Sequence, residues 1–155
     1  MTPTLSLNYA VLLTLLDHEI AALRLFVTTL QEEQQLLARS TDVSTLPDIV
    51  TRKTELYRQL SDLGRQRTSW FVSAALSGMQ SLLERTRQSD PAVTQEIAAK
   101  WETLLGLARS ARASNETNGR LVRTRMVYNR SALDAIRVAS GATTLSTYGA
   151  DGRMG

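Results

Sequence analysis

The chain has no cysteine and a single histidine, His18, among its 155 residues. The absence of cysteine excludes disulfides, thiolate zinc sites, iron–sulfur clusters and cysteine nucleophiles. One histidine is too few for the usual metal clusters, and it gives only one candidate for the histidine of a Ser-His-Asp triad. Because His18 lies between Asp17 and Glu19, we expect an exposed polar position rather than a ligand. We therefore predict no enzymatic activity, no metal and no cofactor.

Long apolar runs, prolines and aromatic residues are also scarce. No stretch approaches the roughly 18–20 apolar residues that a membrane helix requires, so we expect no membrane insertion. The first seven residues lack the basic start of a secretory signal, and we expect none. Aromatic residues make up 5% of the chain and there are three prolines. This composition favours long helices in one soluble domain.

The net charge of +3 hides an asymmetry along the chain. Residues 1–50 hold six acidic and two basic side chains, whereas residues 98–155 hold nine basic and four acidic ones. The two parts would attract each other in antiparallel packing, or the basic part would bind RNA or a lipid surface. We favour packing, because the basic residues alternate with apolar ones and no aromatic platform accompanies them.

Apolar residues in the first part of the chain recur at alternating intervals of three and four. This spacing is that of a coiled-coil seam and predicts a helix over residues 9–39. The stripe consists of Leu13, Leu16, Ile20, Leu23, Val27, Leu30, Gln34 and Leu37.

Two further helices follow from start signals and the same spacing. Thr45 with Asp48 resembles a capping box, and Pro47 suits a first turn. We predict a helix over 46–87 from that start, kinked near Gly64 or Gly78. Asp90 as N-cap and Pro91 at the first position predict a third helix over 91–138.

These elements predict an all-α fold. Residues 1–139 are expected to form an elongated antiparallel helical hairpin or a three-helix, coiled-coil-like bundle. Residues 140–155 are rich in Gly, Ser and Thr without periodicity, and we expect a flexible C-terminal tail.

Polar residues interrupt the seam of the third helix. Asn115, Asn118 and Asn129 occupy positions where leucine would stabilise most, and Gly119 lies among them. A buried Asn at a seam position fixes register or partner choice at some cost in stability. Alternatively, the helix ends at Asn118-Gly119, a good C-terminal cap. In both cases the segment after Gly119 is held less firmly than the one before it.

The segment 120–138 is strongly amphipathic, with one side formed by Val122, Met126, Leu133 and Ile136. It is either the last helix of the bundle or a loosely docked helix that offers this side to another protein's helix. In the tail, Tyr148 is a lone aromatic residue between Thr147 and Gly149. It either folds back onto the bundle or anchors a short motif in another protein's pocket.

Several residues of the third helix and the tail form a combined pattern. They are Glu96-Ile97-Ala98 with Trp101, Asn115-x-x-Asn118-Gly119, Asn129, Leu133 and Thr147-Tyr148-Gly149-Ala150-Asp151-Gly152. This pattern resembles the FlgN-type flagellar export chaperones. The resemblance covers roughly residues 96–153, and the chain departs from it by an insertion-like segment, 141–144, and a longer middle, 70–87.

The resemblance implies a cytoplasmic, non-enzymatic chaperone of the bacterial flagellar type III secretion system. Such chaperones bind hook-associated proteins at their aggregation-prone terminal helices and deliver them to the membrane export gate, visiting the inner-membrane export apparatus transiently. Client binding by a C-terminal helix corresponds here to Val122, Met126, Asn129, Leu133 and Ile136. Docking at the cytoplasmic domain of the export-gate membrane protein corresponds to Tyr148.

Two alternatives from other classes remain open at the sequence level. The arginine-rich helix also suits a basic coiled-coil module that binds RNA or an acidic partner, although we predict no nucleic-acid partner. The seam also suits a structural coiled coil that self-associates, since a 3–4 repeat serves an intramolecular hairpin and a homodimer equally.

Overall fold

The computed structural model describes residues 7–39 and 42–139. These residues form four helices and contain no β-strand. The predicted all-α class is therefore confirmed. The helices are α1 (Tyr9–Arg39), α2 (Leu46–Ser73), α3 (Met79–Ser89) and α4 (Pro91–Ala139).

Helix α1 is the centre of the bundle, because α2 and α4 both pack against it. One heptad row of α1 is buried throughout: Leu16, Leu23, Leu30 and Leu37. With two neighbours, α1 buries a wider face than a single seam, and this face also includes Leu12, Leu15, Glu19, Ala22, Thr29 and Glu33. The other half of the predicted stripe is only half-buried: Leu13, Ile20, Val27 and Gln34.

Helices α1 and α2 form an antiparallel hairpin. Near the connecting loop, Lys53 contacts Glu33 at 3.0 Å. At the far end, the indole Nε1 of Trp70 donates to the carbonyl of Asn8 at 3.2 Å. Trp70 also lies against the rings of Phe71 and Tyr9. The aromatic cluster therefore closes the end of the hairpin opposite the loop.

The predicted second helix, 46–87, is two helices rather than one kinked helix. Helix α2 ends at Ser73, and the next residues make a C-cap in which Leu76 N–H donates to the carbonyl of Phe71 at 3.0 Å. Ala75 adopts a left-handed φ of 56°, a conformation that usually requires glycine at this cap position. Leu76 packs against the core, and this contact stabilises the unusual end.

Helix α3 turns the chain into α4. Leu82 is completely buried in the core, and the hydroxyl of Thr86 lies 2.7 Å from that of Thr94 on α4. The carboxylate of Asp90 accepts from the N–H of Val93 at 3.2 Å. Asp90 thus caps α4 as the sequence predicts, with proline at the next position.

Helix α4 runs parallel to α1, whereas the charge asymmetry led us to expect antiparallel packing between the acidic and basic parts. The hairpin returns the chain to the level of the start of α1, and the short α3 reverses it there. Helix α4 therefore begins beside the start of α1 and follows it. The hydrogen bonds between the two helices show this direction, because the residue numbers rise together on both. They join Asp17 to Lys100 (2.6 Å), Leu30 to Asn118 (2.8 Å) and Leu37 to Arg125 (2.8 Å).

Candidate partner-binding surface

Helix α4 extends past the end of α1. In the last turn of α1, the carbonyl of Leu37 accepts a hydrogen bond from Nε of Arg125 at 2.8 Å. The last carbonyls of a helix are free to accept such bonds in general, and a positive charge there also complements the helix dipole. Beyond Arg125, every described residue of α4 is exposed. We call residues 126–139, roughly four turns or about 20 Å, the projecting segment.

The heptad row of α4 that meets α1 changes in character along the helix. It begins with Ile97, Leu104 and Ala111, which are buried and apolar, and continues with Asn118 and Arg125. Side chains in this row become smaller and then polar toward the end of α1. The apolar core therefore stops before α4 does, and nothing in this row favours a longer bundle.

The projecting segment and the turn before it carry an apolar face that the bundle leaves uncovered. Val122 is 38% exposed, Leu133 46%, Ile136 64% and Met126 65%. With Asn129 they recur at intervals of four and three, and we call these five residues the apolar face. At 100° per residue the centre of the face lies about 60° around the helix from Arg125, the last residue of the row that meets α1. Because large exposed apolar patches are uncommon on soluble proteins, we take these residues as the candidate partner-binding surface.

The projecting segment also exposes apolar residues outside this face. Val127, Tyr128 and Val138 are each about two-thirds exposed or more. They lie on other sides of the helix, so substitutions at these positions are controls for substitutions in the apolar face.

Asn118 is the one interrupting asparagine that is buried among the described residues. Its Nδ2 donates to the carbonyl of Leu30 and to Glu33, both at 2.8 Å. Lys53 holds the same carboxylate at 3.0 and 3.1 Å. One polar cluster therefore connects α4, α1 and α2. Within the described chain the Oδ1 atom of Asn118 has no hydrogen-bond partner.

The other interruptions are placed differently. Asn115 and Asn129 are exposed, so they lie outside the buried seam. The alternative of a helix end at Asn118-Gly119 is wrong, because α4 continues through both residues. A Cβ on Gly119 would meet only the guanidinium of Arg123, at an ordinary 3.5 Å. No close contact at this position requires a glycine, and glycine disfavours the helix by about 1 kcal/mol relative to alanine.

The different burial of Asn118 and Asn115 gives a testable contrast. We expect Asn118→Ala to lower the free energy of unfolding by about 1–2 kcal/mol, because the buried carboxylate of Glu33 loses a donor and a small cavity forms. Asn115→Ala is the matched control and should change it by less than about 0.5 kcal/mol. Urea denaturation followed by circular dichroism measures both, and equal effects would contradict a role of Asn118 in joining the helices.

A second buried polar cluster was not predicted from the sequence. Arg67 Nε contacts the carboxylate of Glu19 at 2.9 and 3.2 Å, and its guanidinium lies 5.1 Å from the ring centroid of Trp101. The sequence holds a signal for it. Glu19 and Glu33 are two heptads apart on α1, and Lys53 and Arg67 are two heptads apart on α2.

The remaining candidates from the sequence form no metal or catalytic site among the described residues. His18 is exposed on α1, as predicted. Residues 7–39 and 42–139 contain no group of three or more His, Cys, Asp or Glu side chains placed to hold a metal ion. No helix in that part of the chain is long and apolar enough to cross a membrane. Tyr148 lies outside the described residues.

Comparison with known proteins gives one match. The family model described as FlgN protein matches residues 1–155, the whole chain. The match thus includes the first two helices as well as the segment 96–153 on which the sequence resemblance rests. No curated protein and no solved structure matches the chain.

Proposed function

The chain belongs to the FlgN family of flagellar export chaperones, and we propose that its clients are hook-associated proteins. On this proposal it binds their terminal helices in the cytoplasm and prevents premature aggregation. It then delivers them to the flagellar type III export gate, where it resides transiently at the inner membrane. The observation that carries the proposal is the apolar face, which the bundle leaves uncovered on a preformed helix.

The apolar face suits an amphipathic helix of the client. Side chains that recur at alternating intervals of four and three, as the five residues of the apolar face do, are the anchors by which one helix docks on another. Burial of an aliphatic side chain contributes about 1.5–3 kcal/mol. The four apolar anchors together contribute about 6–12 kcal/mol, which is comparable to the cost of association of about 4–15 kcal/mol, and the apolar side chains of the client add to this contribution. Because the helix is already formed, binding pays little for ordering its backbone.

The contacts that hold the bundle together do not involve the apolar face. Helix α4 is fixed to α1 through the core, Asn118 and Arg125. The projecting segment has no such core contacts, since all its described residues are exposed. A client can therefore engage and leave the segment without unfolding the bundle, as a delivery cycle requires.

The proposal is tested by recovering partners from the cell. The full chain, with its tail intact, is used as bait in lysate of its own bacterium at about 0.5 M salt, and bound proteins are identified by mass spectrometry. That salt concentration reduces the screening length to roughly 4 Å and suppresses loose contacts of basic residues. Recovery of hook-associated proteins supports the proposal, and a blank result with those proteins expressed would contradict it.

The two alternatives predict different results with the same material. An RNA-binding module would bind nucleic acid with an affinity that falls steeply with salt. A self-associating coiled coil would be a homodimer at micromolar concentration without any client, as light scattering would show. A chaperone with an apolar client site should keep its client at 0.5 M salt.

Tyr148 is proposed to dock the loaded chaperone at the export gate, as the family resemblance implies. We expect Tyr148→Ala to leave client affinity unchanged and to reduce secretion of the client and motility of the cells. Secretion is measured in culture supernatant, with Tyr148→Phe as the control that keeps the ring. Normal export by Tyr148→Ala would show that this residue has no part in docking.

A further inference from the structure

We infer that the partner helix on the apolar face carries acidic side chains at seven-residue intervals along the edge that meets a row of arginines on α4. This inference rests on the proposed function and specifies the chemistry of the partner. The row consists of Arg123, Arg130 and Arg137. Through this row, the surface would select helices of one charge pattern among the amphipathic helices of a cell.

The arginine row has a fixed place beside the apolar face. Its members are seven residues apart, and at 100° per residue the row lies about 80° around the helix from the centre of the face. Arg123 and Arg130 are exposed in the described structure. Positions that flank an apolar seam in this way meet the flanking positions of the partner helix and determine which partner is accepted.

All three residues of this row are positively charged, and this uniform charge begins where the bundle ends. The same helical position within the bundle is occupied by Glu102, Arg109 and Glu116, which alternate in charge. Glu116 also lies 3.5 Å from Arg112 one turn away. After Glu116, Asp134 is the only acidic residue of α4. A surface kept soluble by mixed charge would continue the alternation, so the change of sign points to an oppositely charged partner.

The arrangement favours an acidic helix over RNA. The arginines follow one edge of an apolar face instead of covering the helix, and Tyr128 is the only aromatic residue of the projecting segment. A nucleic acid would gain nothing from the exposed Met126, Leu133 and Ile136, since its affinity comes from phosphate contacts and base stacking.

The charges are expected to select and orient the partner, while the apolar anchors hold it. Exposed ion pairs are individually weak and are screened by salt. Several along one edge change affinity by roughly tenfold at low salt and raise the association rate. A helix with basic residues at the same edge is rejected, because like charges would be brought together.

The test uses the full chain and two synthetic helical peptides. Both peptides have leucine at the a and d positions, and their flanking positions are all Glu in one and all Lys in the other. Binding is measured by fluorescence anisotropy at 50 mM and 0.5 M salt. We expect the Glu peptide to bind at least about tenfold more tightly at 50 mM salt and this preference to shrink at 0.5 M.

A charge reversal separates this inference from the proposed function. The R123E/R130E variant should prefer the Lys peptide, while the control R85E/R109E, with the same change in net charge at exposed positions elsewhere, should keep the wild-type preference. Equal binding of both peptides by wild type would overturn the acidic partner and leave the apolar face as a client site. Binding of neither peptide would overturn both. Tighter binding of a labelled RNA duplex, lost in R123E/R130E, would replace the acidic helix by nucleic acid.

Discussion

The L133D/I136D double variant is expected to lose client binding by at least about 100-fold while its circular dichroism spectrum stays helical. Both side chains are exposed in the free protein, so two aspartates there cost the free chain little. On the proposed function the client covers the same positions in the complex, and burial of an unpaired carboxylate there would cost several kcal/mol. The affinity for the client therefore falls because the complex is destabilised, while the free protein keeps its stability.

The control for this variant lies on the same helix. Val127 and Val138 are 66% and 73% exposed, and at 100° per residue they lie on the side of the projecting segment away from the apolar face. V127D/V138D makes the same chemical change in the same segment and should bind the client within about threefold of wild type. Calorimetry with the recovered client measures both. Equal loss in the two variants would show that the segment as a whole, and not this face, makes the contact.

The second large effect concerns the stability of the bundle. We expect Arg67→Met to lower the free energy of unfolding by about 3 kcal/mol, because it leaves the carboxylate of Glu19, which is only 4% exposed, without its ionic partner. The contact of the guanidinium with Trp101 is lost as well. For a chain of this length the change corresponds to roughly 10 °C in Tm.

A double variant tests whether the charge is the cause. E19L/R67M removes the buried charge together with its partner and should recover most of the lost stability. Arg65→Met is the control, since Arg65 pairs with Asp62 at the surface and should contribute less than about 1 kcal/mol. Thermal and urea denaturation measure all three. If E19L/R67M is no more stable than Arg67→Met, the loss comes from packing and not from the uncompensated carboxylate.

The two buried glutamates also specify how α1 and α2 align. Glu19 pairs with Arg67 and Glu33 with Lys53, and the half-buried Phe26 and Leu60 lie at the matching positions between these pairs. A slip of one heptad in either direction would place both carboxylates opposite Leu or Ala. Since an unpaired charge in the interior is costly, the hairpin has one favourable register, and the apolar contacts alone would allow several.

The sequence by itself determined the elements whose signals are local. The 3–4 spacing predicted α1 over the range that it occupies, and Asp90 with Pro91 predicted where α4 begins. The apolar residues of the projecting segment were also evident, because the periodicity of a helix needs no knowledge of its neighbours. The arginine row beside them can be read in the same way.

Tertiary structure decided which of these helical faces is buried and where the chain turns. Ala75 takes a left-handed conformation that its own side chain disfavours, and the packing of the partly buried Leu76 against the core offsets the cost. Asn118 is buried and Asn115 exposed because only one of them faces α1 at that level. Glu19 is buried because α2 returns along α1 and brings Arg67 to it. Periodicity states which residues share a face, but burial depends on what packs against that face, and this is a property of the whole chain.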